Sequence, residues 1–131
     1  MKKYEAMVLS CIDPRFQQKV FKYLKTKKLT GKYSSFTIAG AAIGVTHKKF
    51  KKWHSTFLDN LSTSIKLHNI KKLIVINHSD CGAAKIVNGK KKFNHSVENK
   101  IHKDSFKKIK KILSKKFPTL KVNFKILSLN D

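Results

Sequence analysis

The chain has 131 residues, a length that suits a single domain spanning residues 1–131. Hydrophobic residues make up 40% of it, which allows a buried core and argues against a disordered chain. No apolar run approaches the ~20 residues that a membrane span needs, so we expect a soluble protein. The basic amino terminus leads into an apolar segment too short for a signal peptide, which favours a cytoplasmic location and reduced cysteines.

The charge is extreme, with 30 Lys and Arg against 7 Asp and Glu, giving a formal net charge of +23. Such a chain attracts anions, but a charge spread over the whole surface predicts only non-specific binding of nucleic acid. The lysine runs are interpreted as solvated faces. Arg15 is the one arginine, and its planar fork of donors cannot be supplied by lysine. The segment around position 15 therefore requires a separate explanation.

The apolar pattern alternates between short continuous runs and helical periodicity. In chain order it predicts a strand at 6–9, a helix at 16–24, a strand at 33–38, a helix at 50–65, a strand at 73–76, a helix at 106–117 and a strand at 122–129. Trp53 is expected in the core, and the partly alternating last strand is expected at an edge. This order predicts an α/β fold with a mostly parallel sheet of about four strands flanked by helices.

Two polar segments, 10–15 and 77–82, follow the first and third predicted strands. Ligands of parallel sheets gather at these carboxyl ends. Cys11, His78 and Cys81 would supply two sulfurs and one nitrogen, a donor set that suits zinc with water in the fourth position. Asp13 is an alternative fourth ligand.

Three motifs in order resemble the β-class carbonic anhydrases: Cys11-x-Asp13-x-Arg15, Ala39-Gly40 and His78-x-x-Cys81-Gly82. The resemblance covers about residues 5–87. It implies a zinc lyase that hydrates carbon dioxide reversibly to bicarbonate. It also implies a homodimer or larger homo-oligomer, because active sites of that family commonly lie at a dimer interface.

The resemblance implies a role for each matched residue. Cys11, His78 and Cys81 would bind Zn²⁺. Asp13 would accept a hydrogen bond from the water on the metal, and Arg15 would hold Asp13 away from the metal.

The chain also departs from the family pattern. Pro14 stands where a small residue is usual, and Phe36-Thr37-Ile38 precedes Ala39-Gly40 in place of the frequent Arg-Asn. Only ten residues precede Cys11, so we expect a small, divergent member that lacks the N-terminal helical arm. The alternative function is a weak or inactive relative with a zinc site, which acts on another small electrophile or binds polyanions through its charge.

Simpler structural roles stand beside these assignments. Cys11 and Cys81 could be ordinary buried cysteines or, less favoured, a disulfide. Asp13 and Arg15 could form a structural ion pair or a helix cap, and Asp80 is expected to cap the helix entered at Cys81. The remaining histidines are expected at the surface rather than at a metal: His47, His54, His68, His95 and His102.

Overall fold

A computed structural model describes residues 3–131. The elements are β1 (Ala6–Ser10), α1 (Gln17–Thr26), β2 (Tyr33–Thr37), α2 (Ala42–Thr46), α3 (His54–His68), β3 (Lys72–His78), α4 (Gly82–Asn88), α5 (His95–Lys116) and β4 (Lys121–Leu127). Short 3-10 segments, Pro14–Phe16 and Lys48–Trp53, lead into α1 and α3. The predicted alternation of strands and helices is confirmed.

The strands form one parallel sheet in the order β2-β1-β3-β4. The central strands β1 and β3 are buried almost throughout, whereas β2 and β4 form the edges and are partly exposed. The fold is therefore the predicted α/β class, with four parallel strands flanked by helices and the last strand at an edge.

Both faces of the central strands are covered, which explains their continuous apolar sequence. Met7 and Leu9 of β1 belong to a cluster that includes side chains of α3 and α5. Ala6 and Val8 point to the opposite face and join a cluster with Phe16 and residues of α1. Because side chains alternate between the two faces of a strand, a strand covered on both faces buries every side chain and is apolar almost throughout.

The register of the central pair positions the polar segments. Ser10 of β1 lies opposite Ile76 of β3, so the loop that starts at Cys11 emerges beside Asn77 and His78. The chain passes from β1 to β2 on one side and then returns to place β3 on the other side of β1. Such a reversal of strand order opens a crevice at the carboxyl ends of the strands, where ligands bind in open α/β sheets.

Trp53 does not lie in the core, and that prediction is wrong. The backbone leaves helical geometry at Phe50 (φ −115°, ψ 28°), so the apolar positions from 50 onward do not form one continuous helix. Trp53 is half-buried and stacks on Phe50 with ring centroids 4.8 Å apart. Phe21 of α1, which matched the helical spacing of apolar residues, is 48% exposed.

The lysine runs are exposed as predicted, at positions 48–49, 51–52, 90–92, 107–108, 110–111 and 115–116. Within residues 3–131, no helix is both long enough and apolar enough to cross a membrane.

Candidate metal centre

The crevice between β1 and β3 brings together Cys11, His78 and Cys81. Cys11 follows β1, His78 is the last residue of β3, and Cys81 is the N-cap of α4. One ligand atom from each lies within 4.8 Å of the others, and all three residues are buried. Both cysteines are free thiols, so the disulfide alternative is wrong.

His78 offers an unpartnered nitrogen at this cluster. Its Nδ1 lies 2.7 Å from the carbonyl oxygen of Ser79 and donates its proton there, which leaves the lone pair of Nε2 available. That Nε2 is buried and has no hydrogen-bond partner among the described residues. Phe16 stacks on the imidazole at 4.1 Å between centroids and fixes its plane. A buried nitrogen beside two sulfurs fits a soft divalent metal.

Gly40 supports the first sulfur. Its N–H donates to Cys11 Sγ over 3.3 Å, and its φ is +79°. A Cβ at this position would lie 2.7 Å from the Cβ of Ala83, so no other residue fits without displacing backbone. Glycine is therefore required in the Ala39-Gly40 motif, because only glycine lets the backbone at position 40 approach the Cys11 sulfur this closely.

Hydrogen bonding divides the thiolate character unequally between the sulfurs. The hydrogen bond from Cys81 lowers the pKa of Cys11 to about 4 against the opposing effect of burial, and the backbone N–H of Gly40 acts in the same direction. The same bond, together with burial, raises the pKa of Cys81. Cys11 is therefore the sulfur that carries negative charge more readily.

Arg15 holds the Asp13 carboxylate with two parallel hydrogen bonds. Its Nε donates to Oδ1 over 3.1 Å and its Nη2 donates to Oδ2 over 2.8 Å, while its backbone N–H also reaches Oδ1. These contacts lower the pKa of Asp13 to about 2, against the opposing effect of burial. Asp13 also caps the Pro14–Phe16 segment, so the ion pair and the cap coexist. Asp13 Oδ2 lies 3.8 Å from His78 Nε2.

The same guanidinium joins the two loops of the crevice. Nη1 donates to Asp80 Oδ2 and Nη2 donates to the Asp80 carbonyl, each over 3.0 Å. Lys85 Nζ lies 3.0 Å from Asp80 Oδ1. Asp80 therefore does not cap α4, and that prediction is wrong: Cys81 is the N-cap and makes no side-chain capping bond. The Asp80 carboxylate pairs with two cations instead.

Three polar residues behind the cluster were not anticipated. Glu98 and His102 of α5 and Asn77 of β3 are all buried and hydrogen-bonded to one another in series. His102 is 1% exposed, so its predicted surface position is wrong. Two signals were available: Asn77 is polar within an apolar strand, and Glu98 and His102 are four residues apart on one helix face. The candidate metal cluster among the described residues consists of Cys11, His78 and Cys81 and includes none of the five other histidines.

Comparison with known proteins places this chain in a family. A family model described as "Putative carbonic anhydrase" matches residues 1–124. The chain belongs to this carbonic anhydrase family. Two relatives of this chain are uncharacterized proteins from Rickettsia. That of Rickettsia conorii is 30% identical over 125 residues, covering 95% of this chain and 67% of its own. That of Rickettsia bellii is 29% identical, covering 95% and 76%.

Solved structures show the same fold. A carbonic anhydrase from Glaciozyma antarctica superposes with a TM-score of 0.64 at 18% identity, covering 99% of this chain and 80% of its own. The β-carbonic anhydrase CafA of Aspergillus fumigatus gives a TM-score of 0.67 at 12% identity, covering 99% and 73%. A tetrameric β-carbonic anhydrase from Sordaria macrospora gives 0.50 at 11% identity, covering 92% and 54%. This carbonic anhydrase family member therefore has the β-carbonic anhydrase fold.

Proposed function

We propose that this protein is a zinc lyase that catalyses the reversible hydration of carbon dioxide to bicarbonate. One observation carries the proposal. The buried Cys11, His78 and Cys81 cluster, with an unpartnered His78 Nε2, lies beside a carboxylate that an arginine fork holds. Membership of a carbonic anhydrase family and the fold of its β-class support the reaction.

Cys11, His78 and Cys81 would hold the metal. Two thiolates and one imidazole favour Zn²⁺ over Mg²⁺ or Ca²⁺, which prefer oxygen ligands. Three protein ligands leave a fourth position of the tetrahedron open, as catalytic zinc sites require. At such a site zinc lowers the pKa of water and supplies a hydroxide nucleophile at neutral pH.

Asp13 and Arg15 would orient the nucleophile. Both oxygens of the Asp13 carboxylate accept hydrogen bonds from Arg15, and Oδ2 lies 3.8 Å from His78 Nε2. Oδ2 can therefore accept a hydrogen bond from the attacking water while Arg15 prevents the carboxylate from becoming a ligand. A carboxylate with a pKa of about 2 stays ionised at neutral pH and acts only as an acceptor.

Metal content and carbon dioxide hydration test the proposal. Protein prepared under reducing conditions with added zinc should carry about one Zn²⁺ per chain and should hydrate carbon dioxide in a stopped-flow indicator assay. A protein that stays free of metal would overturn the site assignment. A zinc-loaded protein without hydration activity would instead overturn the proposed reaction and favour a zinc-binding relative that acts on another electrophile.

We also propose that the chain assembles as a homodimer or a larger homo-oligomer. Ile12, between Cys11 and Asp13, is 57% exposed, and Ile86 of α4 is 56% exposed. Both extend from elements that carry the cluster, so a second copy packed there would cover apolar surface and enclose the crevice. The tetrameric β-carbonic anhydrase of similar fold supports such an assembly.

Light scattering at moderate salt should give a mass of at least two chains, and the oligomer should weaken at low ionic strength. The reason is that two copies of charge +23 repel each other more strongly when salt does not screen them. Ile12→Asp should shift the population toward monomer. Leu67→Asp is the matched control. Leu67 is also 57% exposed, but it lies near the end of α3, just before β3 begins, and so away from the carboxyl ends of the strands where the cluster lies. A monomeric wild type at high protein concentration would refute the assembly.

A further inference from the structure

A buried carboxylate lies beneath the turn that carries Cys81. The backbone N–H of Asp80 donates to Glu98 Oε1 over 3.0 Å, and the backbone N–H of Cys81 donates to Glu98 Oε2 over 2.9 Å. Glu98 is only 6% exposed. Asp80 adopts a left-handed backbone conformation with φ of +54°, which side chains other than glycine, asparagine and aspartate rarely tolerate. Two consecutive donors on one carboxylate stabilise this turn.

Among the described residues, no lysine pairs with Glu98, although the chain contains 29 lysines. Its side-chain partner is His102, whose Nε2 lies 3.1 Å from Oε2 and donates a hydrogen bond to it. A buried carboxylate is costly unless hydrogen bonds compensate for the lost water. Three donors, two from the backbone and one from His102, supply that compensation.

The network continues to the other two metal-binding segments. His102 Nδ1 accepts from Asn77 Nδ2 over 2.9 Å, and Asn77 Oδ1 accepts from the backbone N–H of Ala42 over 3.1 Å. Asn77 precedes His78, and Ala42 lies two residues after Gly40, whose N–H reaches Cys11 Sγ. The carboxylate is therefore linked to the segments that position all three ligands.

The donors and acceptors of this network agree in direction. Because Asn77 uses its oxygen for Ala42, its amide nitrogen must donate to His102 Nδ1, and His102 Nε2–H must then donate to Glu98. Burial, which outweighs the hydrogen bond to Glu98, lowers the pKa of His102 and so favours the neutral ring that this pattern needs. The remaining Asn77 donor reaches Ser105 Oγ over 3.3 Å. A fully satisfied network of this kind holds one geometry.

We propose that Glu98 is a positioning residue of the metal centre: its buried carboxylate fixes the Asp80–Cys81 turn and so sets the direction of Cys81 Sγ. His102 holds the carboxylate in place. This inference rests on the proposed zinc site. Outer partners of metal ligands govern ligand orientation, and their loss typically costs about 10–100-fold in metal affinity.

Glu98→Gln tests the proposal, with Co²⁺ as a spectroscopic probe for the zinc site. The amide replaces one acceptor oxygen by a donor nitrogen, so at least one of the two backbone N–H groups loses its partner. We expect Co²⁺ affinity, measured by competition with a chelator, to fall about 10–100-fold. The thiolate-to-cobalt absorption band should also weaken or shift, because Cys81 Sγ is no longer held. Asp104→Asn, which removes a half-exposed carboxylate from the same helix, is the matched control and should bind as wild type.

The outcomes separate the two proposals. A wild type that binds Co²⁺, with Glu98→Gln equal to it in affinity and spectrum, overturns the role of Glu98 and leaves the metal site intact. A wild type that binds no Co²⁺ overturns the proposed zinc site itself.

If circular dichroism shows that Glu98→Gln does not fold, two His102 variants test the role of the Glu98 carboxylate instead. His102→Ala should weaken Co²⁺ binding, and His102→Gln, which retains a donor and an acceptor, should restore it. Equal binding by both would refute the proposal.

Discussion

Arg15→Lys should retain zinc but lower carbon dioxide hydration by about 100-fold or more, the penalty for displacing a reacting group by about 1 Å. The guanidinium donates to both oxygens of Asp13 over 3.1 and 2.8 Å and also holds the Asp80 loop. A lysine ammonium is a point charge on a flexible stem and cannot form the parallel pair. Asp13 would then be drawn toward the metal as a ligand. The measurement is stopped-flow hydration together with zinc content per chain.

Lys85→Ala is the matched control that separates the loss of a positive charge from the loss of the guanidinium fork. Lys85 lies 3.0 Å from Asp80 Oδ1, in the same charged cluster, and it is exposed. Arg15→Lys keeps the charge but loses the fork, whereas Lys85→Ala loses a charge but keeps the fork. If activity depends on the fork, only Arg15→Lys is impaired. Loss of activity in Lys85→Ala with full activity in Arg15→Lys would show that charge alone matters and that the Asp13–Arg15 pair is structural.

Cys81→Ser and His78→Ala should each lose most of the bound zinc. Each change removes one of the three proposed protein ligands, and a serine hydroxyl is a much poorer ligand than a thiolate. The remaining two ligands cannot complete a tetrahedral site. Zinc content after dialysis against a weak chelator measures the loss, and hydration activity should disappear with the metal.

His95→Ala is the matched control for His78→Ala, since His95 is exposed at the start of α5 and lies outside the cluster. It should keep about one zinc per chain. Circular dichroism of each variant separates metal loss from unfolding. A folded Cys81→Ser protein with full zinc content would contradict the ligand assignment, because no other cysteine than Cys11 would remain to supply a thiolate.

The sequence by itself determined the fold class and the three residues of the candidate metal cluster. The apolar run at 73–76 predicted a strand covered on both faces, and the structure places β3 at the centre of a parallel sheet. Cys11 follows β1, His78 ends β3 and Cys81 comes three residues later, so their convergence needed only the rule that parallel strands end at the same edge. These features depend on local pattern and strand polarity, and a sequence carries both.

Only the tertiary structure decided how the site is supported. Glu98 lies 17 residues after Cys81 in the chain, and its contact with that backbone depends on how α5 packs across the sheet. The same packing buries His102, for which the lack of a paired ligand spacing had predicted a surface position. Asp80 pairs with Arg15, 65 residues away, instead of capping α4. The spacing of apolar residues shows which side chains share a face of a helix or strand. The contacts of Glu98, His102 and Asp80 depend instead on how elements far apart in the chain pack together, and that spacing does not specify this packing.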